Sequence, residues 1–202
     1  MTGSAGHHPA KRFACALRLV PSCAPPAKKP GGVQGLVGRR IPRVVLQDGF
    51  RFPLDLGEFA RSFSLVLYFY PGGPGSLRGE DAPCTDDIRH RAFSGCGLEL
   101  SGLGFQAIGV SSQSMRAQRQ AVLASRVGHR LLSDPELLLA RELGLPTFKA
   151  EGAWWYQRLV LIVIGGRVAQ PFSVCDPENG SGQAIAWIVI HTGWPGAGVD
   201  AS

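Results

Sequence analysis

The sequence predicts an α/β fold in three layers, with a central sheet flanked by helices. Two observations carry this. Ser64–Tyr70 (SLVLYFY) and Gln106–Ser112 (QAIGVSS) have strand length and read as strands buried on both faces. Strand-like and helix-like segments alternate along the chain and end in a hairpin and a helix, which is the order of a sheet covered on both sides.

The elements follow in order. Arg43–Gln47 and Phe50–Leu54 flank Asp48-Gly49, a tight hairpin signal. Pro71 ends the Ser64–Tyr70 strand, and a Gly/Pro loop (PGGPGSLRGEDAP) follows. A helix is predicted from Cys84 to about Leu103. Asp86 and Asp87 fall in its first turn, where they suit the positive end of the dipole. Cys84, Ile88, Ala92, Cys96 and Leu100 recur every four residues as one apolar stripe, and Gly95 and Gly97 weaken the helix midway. Met115–Val127 is helical in pattern and His129–Leu132 a short strand. Ser133-Asp134-Pro135 opens a helix over Glu136–Leu143, with Pro in its first turn and Gly144 closing it. Leu159–Ile164 and Arg167–Phe172 make a hairpin around Gly165-Gly166, and Gln183–His191 is a last helix.

The 202 residues, 45% hydrophobic and 18% charged, suit one domain plus a tail. No run of about 18 apolar residues is present, so no spanning helix is expected. The formal charge of +6 invites a nucleic-acid reading. Its location argues against one. Residues 1–43 hold eight Lys and Arg and no acid, whereas residues 44–202 hold 13 Lys and Arg against 15 Asp and Glu. The domain is near neutral and offers no basic face for phosphates. Residues 1–35 read as a basic, Pro/Gly-rich disordered tail, with a basic arm or a targeting segment as alternatives; residues 36–192 read as the domain and 193–202 as a C-terminal tail. Arg outnumbers Lys 17 to 4, the bias of a GC-rich bacterial genome.

Five cysteines are scattered at 15, 23, 84, 96 and 175, without a CxxC or a Cys–His cluster, so no structural metal is expected. The odd count suits a reducing, cytoplasmic setting. So does Phe13–Val20, which is broken by Arg18 and too short for a secretory core. PGGPGS lacks the G-K-[ST] of a phosphate loop and the spacing of a dinucleotide fingerprint, so no cofactor is expected. No G-x-S-x-G elbow supports a serine nucleophile.

Cys84 is the informative residue. It follows a buried strand and a Gly/Pro loop and begins a helix, where backbone N–H groups and the dipole favour the reactive thiolate. Pro83 fixes the approach of the chain, and Thr85 offers a hydroxyl beside the sulfur. Arg158 opens the strand Leu159–Ile164 and could stabilise the thiolate from one end of the sheet. Spacing alone equally allows an inert, half-buried cysteine and an ion-paired arginine. Trp154, Trp155 and Tyr156 precede Arg158. All three could wall the entrance to a thiol pocket, or pack a strand edge or a dimer contact. His129 and His191 have no partners at useful spacing.

SLVLYFYP, PCTDDIRHRAF, FQAIGVSSQS, LLSDPELLLARELGL and RLVLIVIGGRV, in that order, resemble the peroxiredoxin family, closest to its bacterioferritin-comigratory, Q-type subgroup, over roughly residues 36–190. The resemblance implies a thioredoxin-like fold. It also implies a peroxidatic cysteine in a Pro-x-x-x-Thr-x-x-Cys motif, with an arginine at the start of a later strand. Carried over, Cys84 is the peroxidatic cysteine, Arg158 the arginine and Pro71 the motif proline. The implied partners are a peroxide substrate and a thioredoxin-like or small-thiol reductant, in a monomer or homodimer.

The departures are specific. The motif threonine position holds Asp81 and the proline position Leu77; Pro71 lies thirteen residues before Cys84, so about six residues are inserted. Asp81 would raise the thiol pKa as a like charge and lacks the donor that threonine gives the peroxide. Ser76 or Thr85 could substitute. The subgroup's resolving position, five residues on, is Arg89. Cys175, Cys96, a tail cysteine or an external thiol remain. Cys96 is twelve residues further along a helix, roughly 18 Å, beyond the reach of a disulfide unless the helix opens. Three functions are therefore open: a thiol peroxidase, a peroxiredoxin-fold enzyme with diverged chemistry on an organic substrate, and a non-catalytic thioredoxin-like protein.

Overall fold

The computed structural model describes residues 33–72, 92–150, 152–173 and 179–192. Its centre is a seven-stranded mixed sheet in the order β2-β1-β5-β4-β3-β8-β9. The strands are β1 (Val45–Asp48), β2 (Pro53–Asp55), β3 (Ser64–Phe69), β4 (Phe105–Ser111), β5 (Arg130–Ser133), β8 (Leu159–Ile164) and β9 (Arg167–Ser173). β3, β4 and β5 run parallel, and β8 pairs antiparallel to β3. A separate two-stranded hairpin joins β6 (Thr147–Ala150) and β7 (Ala153–Tyr156).

Alternation along β3 divides the core. Leu65, Leu67 and Phe69 face Leu56 and Ala60 of α1 (Leu56–Ser62) and Leu139, Ala140 and Leu143 of a later helix. Val66, Tyr68 and Tyr70 face Phe93, Leu100, Ala184 and Ile188. All six β3-side residues are fully buried. At about 1.5–3 kcal/mol for each large apolar side chain withdrawn from water, this strand holds both layers to the sheet. The helices are α2 (Gly97–Gly102), α3 (Met115–Ser125), α4 (Leu138–Leu143) and α5 (Asn179–Thr192). No helix among the described residues is long and apolar enough to cross a membrane.

The predicted three-layer α/β arrangement, a mixed sheet flanked by helices, is the one observed, with local differences. The first hairpin does not turn at two residues: the Asp48 carboxylate accepts the N–H groups of Phe50 and Phe52, at 2.9 and 3.0 Å, and Arg51 is left-handed. α1 has no counterpart in the sequence prediction, although Asp55 caps it by accepting the Glu58 N–H at 3.0 Å, the first half of a capping box. The long helix predicted from Cys84 is described only from residue 92. It breaks at Cys96, whose flanking glycines give the helix little reason to continue. Phe93, rather than Ala92, fills the apolar stripe with Leu100. α4 starts at Leu138, later than predicted. Asp134 accepts the N–H groups of Leu138 and Leu139, and Leu137 takes a left-handed conformation (φ 54°) that ends the preceding turn. α5 begins earlier than predicted, at Asn179. The β8–β9 turn is Gly165-Gly166, both at positive φ, as the hairpin signal requires.

Candidate functional site

The parallel strands β3, β4 and β5 end along one edge of the sheet, and antiparallel β8 begins there. The last β3–β8 pair is Phe69 with Leu159. One residue further on each chain are Tyr70 and Arg158, followed on the β3 side by Pro71 and Gly72. Arg158 therefore opens β8 beside the point where the chain runs on toward Cys84. By strand alternation it falls on the face of Val160 and Ile162, which is the face of Tyr68, Tyr70 and Phe93. Arg158 is half-buried and its Nε atom is fully so. Pro71 and Gly72 are buried. Gly72 has φ +81°, which strains any other residue, and a Cβ there would lie 2.3 Å from Cδ of Gln113, so that side chain would have to move.

The other proposed site residues divide. Cys84, Asp81, Pro83, Thr85 and Cys175 lie outside the described residues. Cys96 is half-buried at the helix break: its N–H bonds to the Ala92 carbonyl at 3.1 Å and its carbonyl accepts from Leu100 at 2.9 Å. Trp155 is half-buried and donates its indole N–H to the Ala150 carbonyl at 3.1 Å, within its own hairpin. Tyr156 turns inward: its hydroxyl donates to Asp134 Oδ2 at 2.6 Å and accepts from the Ala140 N–H at 3.2 Å. Burial first, then the Asp134 carboxylate, pushes its phenol far above the usual range. Trp154 is the exposed member of the trio, at 55%.

Two clusters escaped sequence reading. At the site edge, buried Ser111, Gln113, Gln118 and Ser133 bond one another and Tyr70. Its signal was Gln118, a polar residue three and four positions before Ala121 and Val122 on the apolar face of α3. Further from the edge, His129 has partners after all. Its Nε2 meets the Tyr68 hydroxyl and its Nδ1 lies 3.4 Å from Ser94 Oγ, which accepts the Gly128 N–H at 3.2 Å. Burial lowers its pKa to about 4. His191 stacks on Trp187 at 4.2 Å.

No protein-family model matches the chain, and no curated protein matches it by sequence. Solved structures do match. Peroxidoxin BcpB from Mycobacterium tuberculosis superposes with a TM-score of 0.63 at 21% identity, covering 77% of this chain and 97% of that one. A cysteine-to-serine mutant of PrxQ from Xylella fastidiosa gives 0.65 at 14%, covering 77% and 96%. The chain has the fold of the Q-type peroxiredoxins. Reduced Prx3 from Vibrio vulnificus, crystallised with hydrogen peroxide, also shares this peroxiredoxin fold, with a TM-score of 0.61 at 17% identity over 75% of this chain and 97% of that one. These likenesses accord with the thioredoxin-like architecture that the sequence resemblance implied.

Proposed function

We propose that this protein is a thiol-dependent peroxidase whose reacting group is the Cys84 thiolate. One observation carries the reading: within a peroxiredoxin fold, Arg158 opens β8 beside Tyr70 and Pro71, where β3 hands the chain on to Cys84. A guanidinium near the sulfur favours thiolate over thiol. The thiolate attacks one oxygen of ROOH. The S–O bond forms as the O–O bond breaks, the sulfur loses two electrons, and the departing RO⁻ takes up a proton as ROH. The resulting sulfenic acid condenses with a second thiol, forming a disulfide and releasing water. A thioredoxin-like dithiol or a small thiol then reduces the disulfide.

Hydrogen peroxide and organic hydroperoxides are the substrate class. A crystal of the Vibrio protein holds the first, and the Xanthomonas campestris bacterioferritin comigratory protein is described by its alkyl peroxide reduction. Cys175 and Cys96 are the candidate resolving thiols within the chain. Cys96 at the helix break needs less unwinding than a mid-helix residue would. Pro71, Pro83 and Thr85 shape the approach to Cys84, and Asp81 tempers its thiolate. Asp81 and the inserted residues favour a second reading, a diverged enzyme acting on an organic substrate. Cys84→Ser decides: peroxide consumption with a thiol reductant is expected to vanish, while Cys96→Ser retains the first turnover. Unchanged consumption by Cys84→Ser overturns the peroxidase assignment.

A further inference from the structure

Among the described side chains of α3, only Gln118 is fully buried, and it is polar. Its amide bonds to the ends of three neighbouring strands. Oε1 accepts the Tyr70 hydroxyl at 2.9 Å, just past β3. Nε2 donates to Ser111 Oγ at 2.9 Å, the last residue of β4, and to the Leu132 carbonyl at 2.8 Å, near the end of β5. The direction of each bond is determined. A carbonyl only accepts, so Leu132 faces the NH2 and Tyr70 must donate to the oxygen. Ser111 Oγ accepts from Gln118 and from the Gln113 N–H at 3.2 Å, so its own proton goes to Gln113 Oε1 at 3.3 Å. Ser133 Oγ donates to the Gln113 carbonyl. The Gln113 side chain, so held, lies against Gly72: a Cβ built there would meet its Cδ at 2.3 Å.

We propose that Gln118 is a positioning residue of the Cys84 site: it draws together the C-terminal ends of β3, β4 and β5 and, through Gln113, sets Gly72, from which the chain enters the segment holding Cys84. This rests on the peroxidase reading above. An apolar residue would fill the same space on α3, but it would give the strand ends no common anchor. A fully bonded buried amide admits one geometry and penalises the others, because any slip leaves a polar group unpaired.

The test compares Gln118→Met, Tyr70→Phe and their double variant in the full chain, with exposed Gln120→Met as the control. Two rate constants of Cys84 are measured for each, one with hydrogen peroxide and one with iodoacetamide. Alkylation follows thiolate and access, whereas peroxide reduction also needs the oriented site. The peroxide-to-alkylation ratio is expected to fall between about tenfold and a hundredfold in Gln118→Met and in Tyr70→Phe, the cost of a misplacement of about an ångström. The double variant is expected to fall no further than the worse single one, since both remove one device. A merely destabilising change would alter both rates together and leave the ratio. A ratio within about twofold of the native one in folded Gln118→Met overturns the proposal. If that variant does not fold, the same result in Tyr70→Phe, which deletes one oxygen, overturns it. An equal fall in Gln120→Met also overturns it. If native Cys84 shows no preference for peroxide, the peroxidase reading itself fails and the proposal with it.

Discussion

On the peroxidase reading proposed above, Arg158 and Asp81 bring opposite charges to Cys84, and their balance sets how much thiolate the site holds. A guanidinium close to a thiol lowers its pKa by about one to three units, and a carboxylate raises it. Arg158→Met is therefore expected to move the pH midpoint of Cys84 alkylation upward by at least one unit, about 1.4 kcal/mol, and to slow peroxide reduction. Arg158→Lys is expected to recover only part, because an ammonium lacks the planar fork. Asp81→Thr should move the midpoint the other way and quicken the peroxide reaction, since it removes the like charge and supplies a hydroxyl donor. Alkylation rates followed across pH for the three variants check this. A midpoint that stays put in Arg158→Met would remove Arg158 from the site.

At the scale of elements, Tyr156 joins three pieces that are remote in sequence. Its hydroxyl bonds Asp134 beyond β5 and Ala140 within α4, and its ring lies 5.1 Å from that of Phe69 at the end of β3. Tyr156→Phe keeps the ring but removes a bond to a buried carboxylate and leaves the Ala140 N–H unsatisfied. A loss of about 1.5–3 kcal/mol is expected, read as a lower urea midpoint with an unchanged slope; an unchanged midpoint would show that the hydroxyl contributes nothing. Such links explain which elements sequence could reveal. β3, β4 and the β8–β9 hairpin declare themselves because buried strands are continuous apolar runs and Gly165-Gly166 demands a turn. The position of Arg158 at the start of β8 was legible from its place before such a run. α1 is short, and its Asp55 and Glu58 cap signal lies between two strands that attract the eye. The start of α4 depended on where the Asp134 carboxylate points, and Tyr156 read as a pocket wall because nothing in its neighbours names Asp134. The partners of Gln118 come from three strands and become adjacent only when the sheet assembles.

At the scale of the whole molecule, His129 couples the layers to pH. It touches Tyr68 on β3, Ser94 on the helical turn at 92–95 and, through Ser94, the Gly128 backbone before β5. Tyr68 in turn stacks on Phe93 at 4.4 Å, so the same contact secures the helix against the sheet. The neutral ring suits this site: with one nitrogen donating and the other accepting, it bonds the Tyr68 hydroxyl at Nε2 and Ser94 Oγ at Nδ1. Burial holds the folded pKa at about 4, below the ordinary 6.5. The unfolded chain therefore binds a proton that the native state refuses. The stability associated with neutral His129 is complete above pH 6.5 and is lost as pH falls toward and through 4. The full difference amounts to at most about 3 kcal/mol at 1.36 kcal/mol per unit, a large part of a typical domain's margin. Urea unfolding of the native chain at pH 7 and pH 4.5 is expected to show a marked drop in midpoint. His129→Gln, which cannot titrate, starts lower at pH 7 and should lose distinctly less over the same interval. Equal losses in the two proteins would assign the acid sensitivity to the carboxylates and leave His129 as a packing residue.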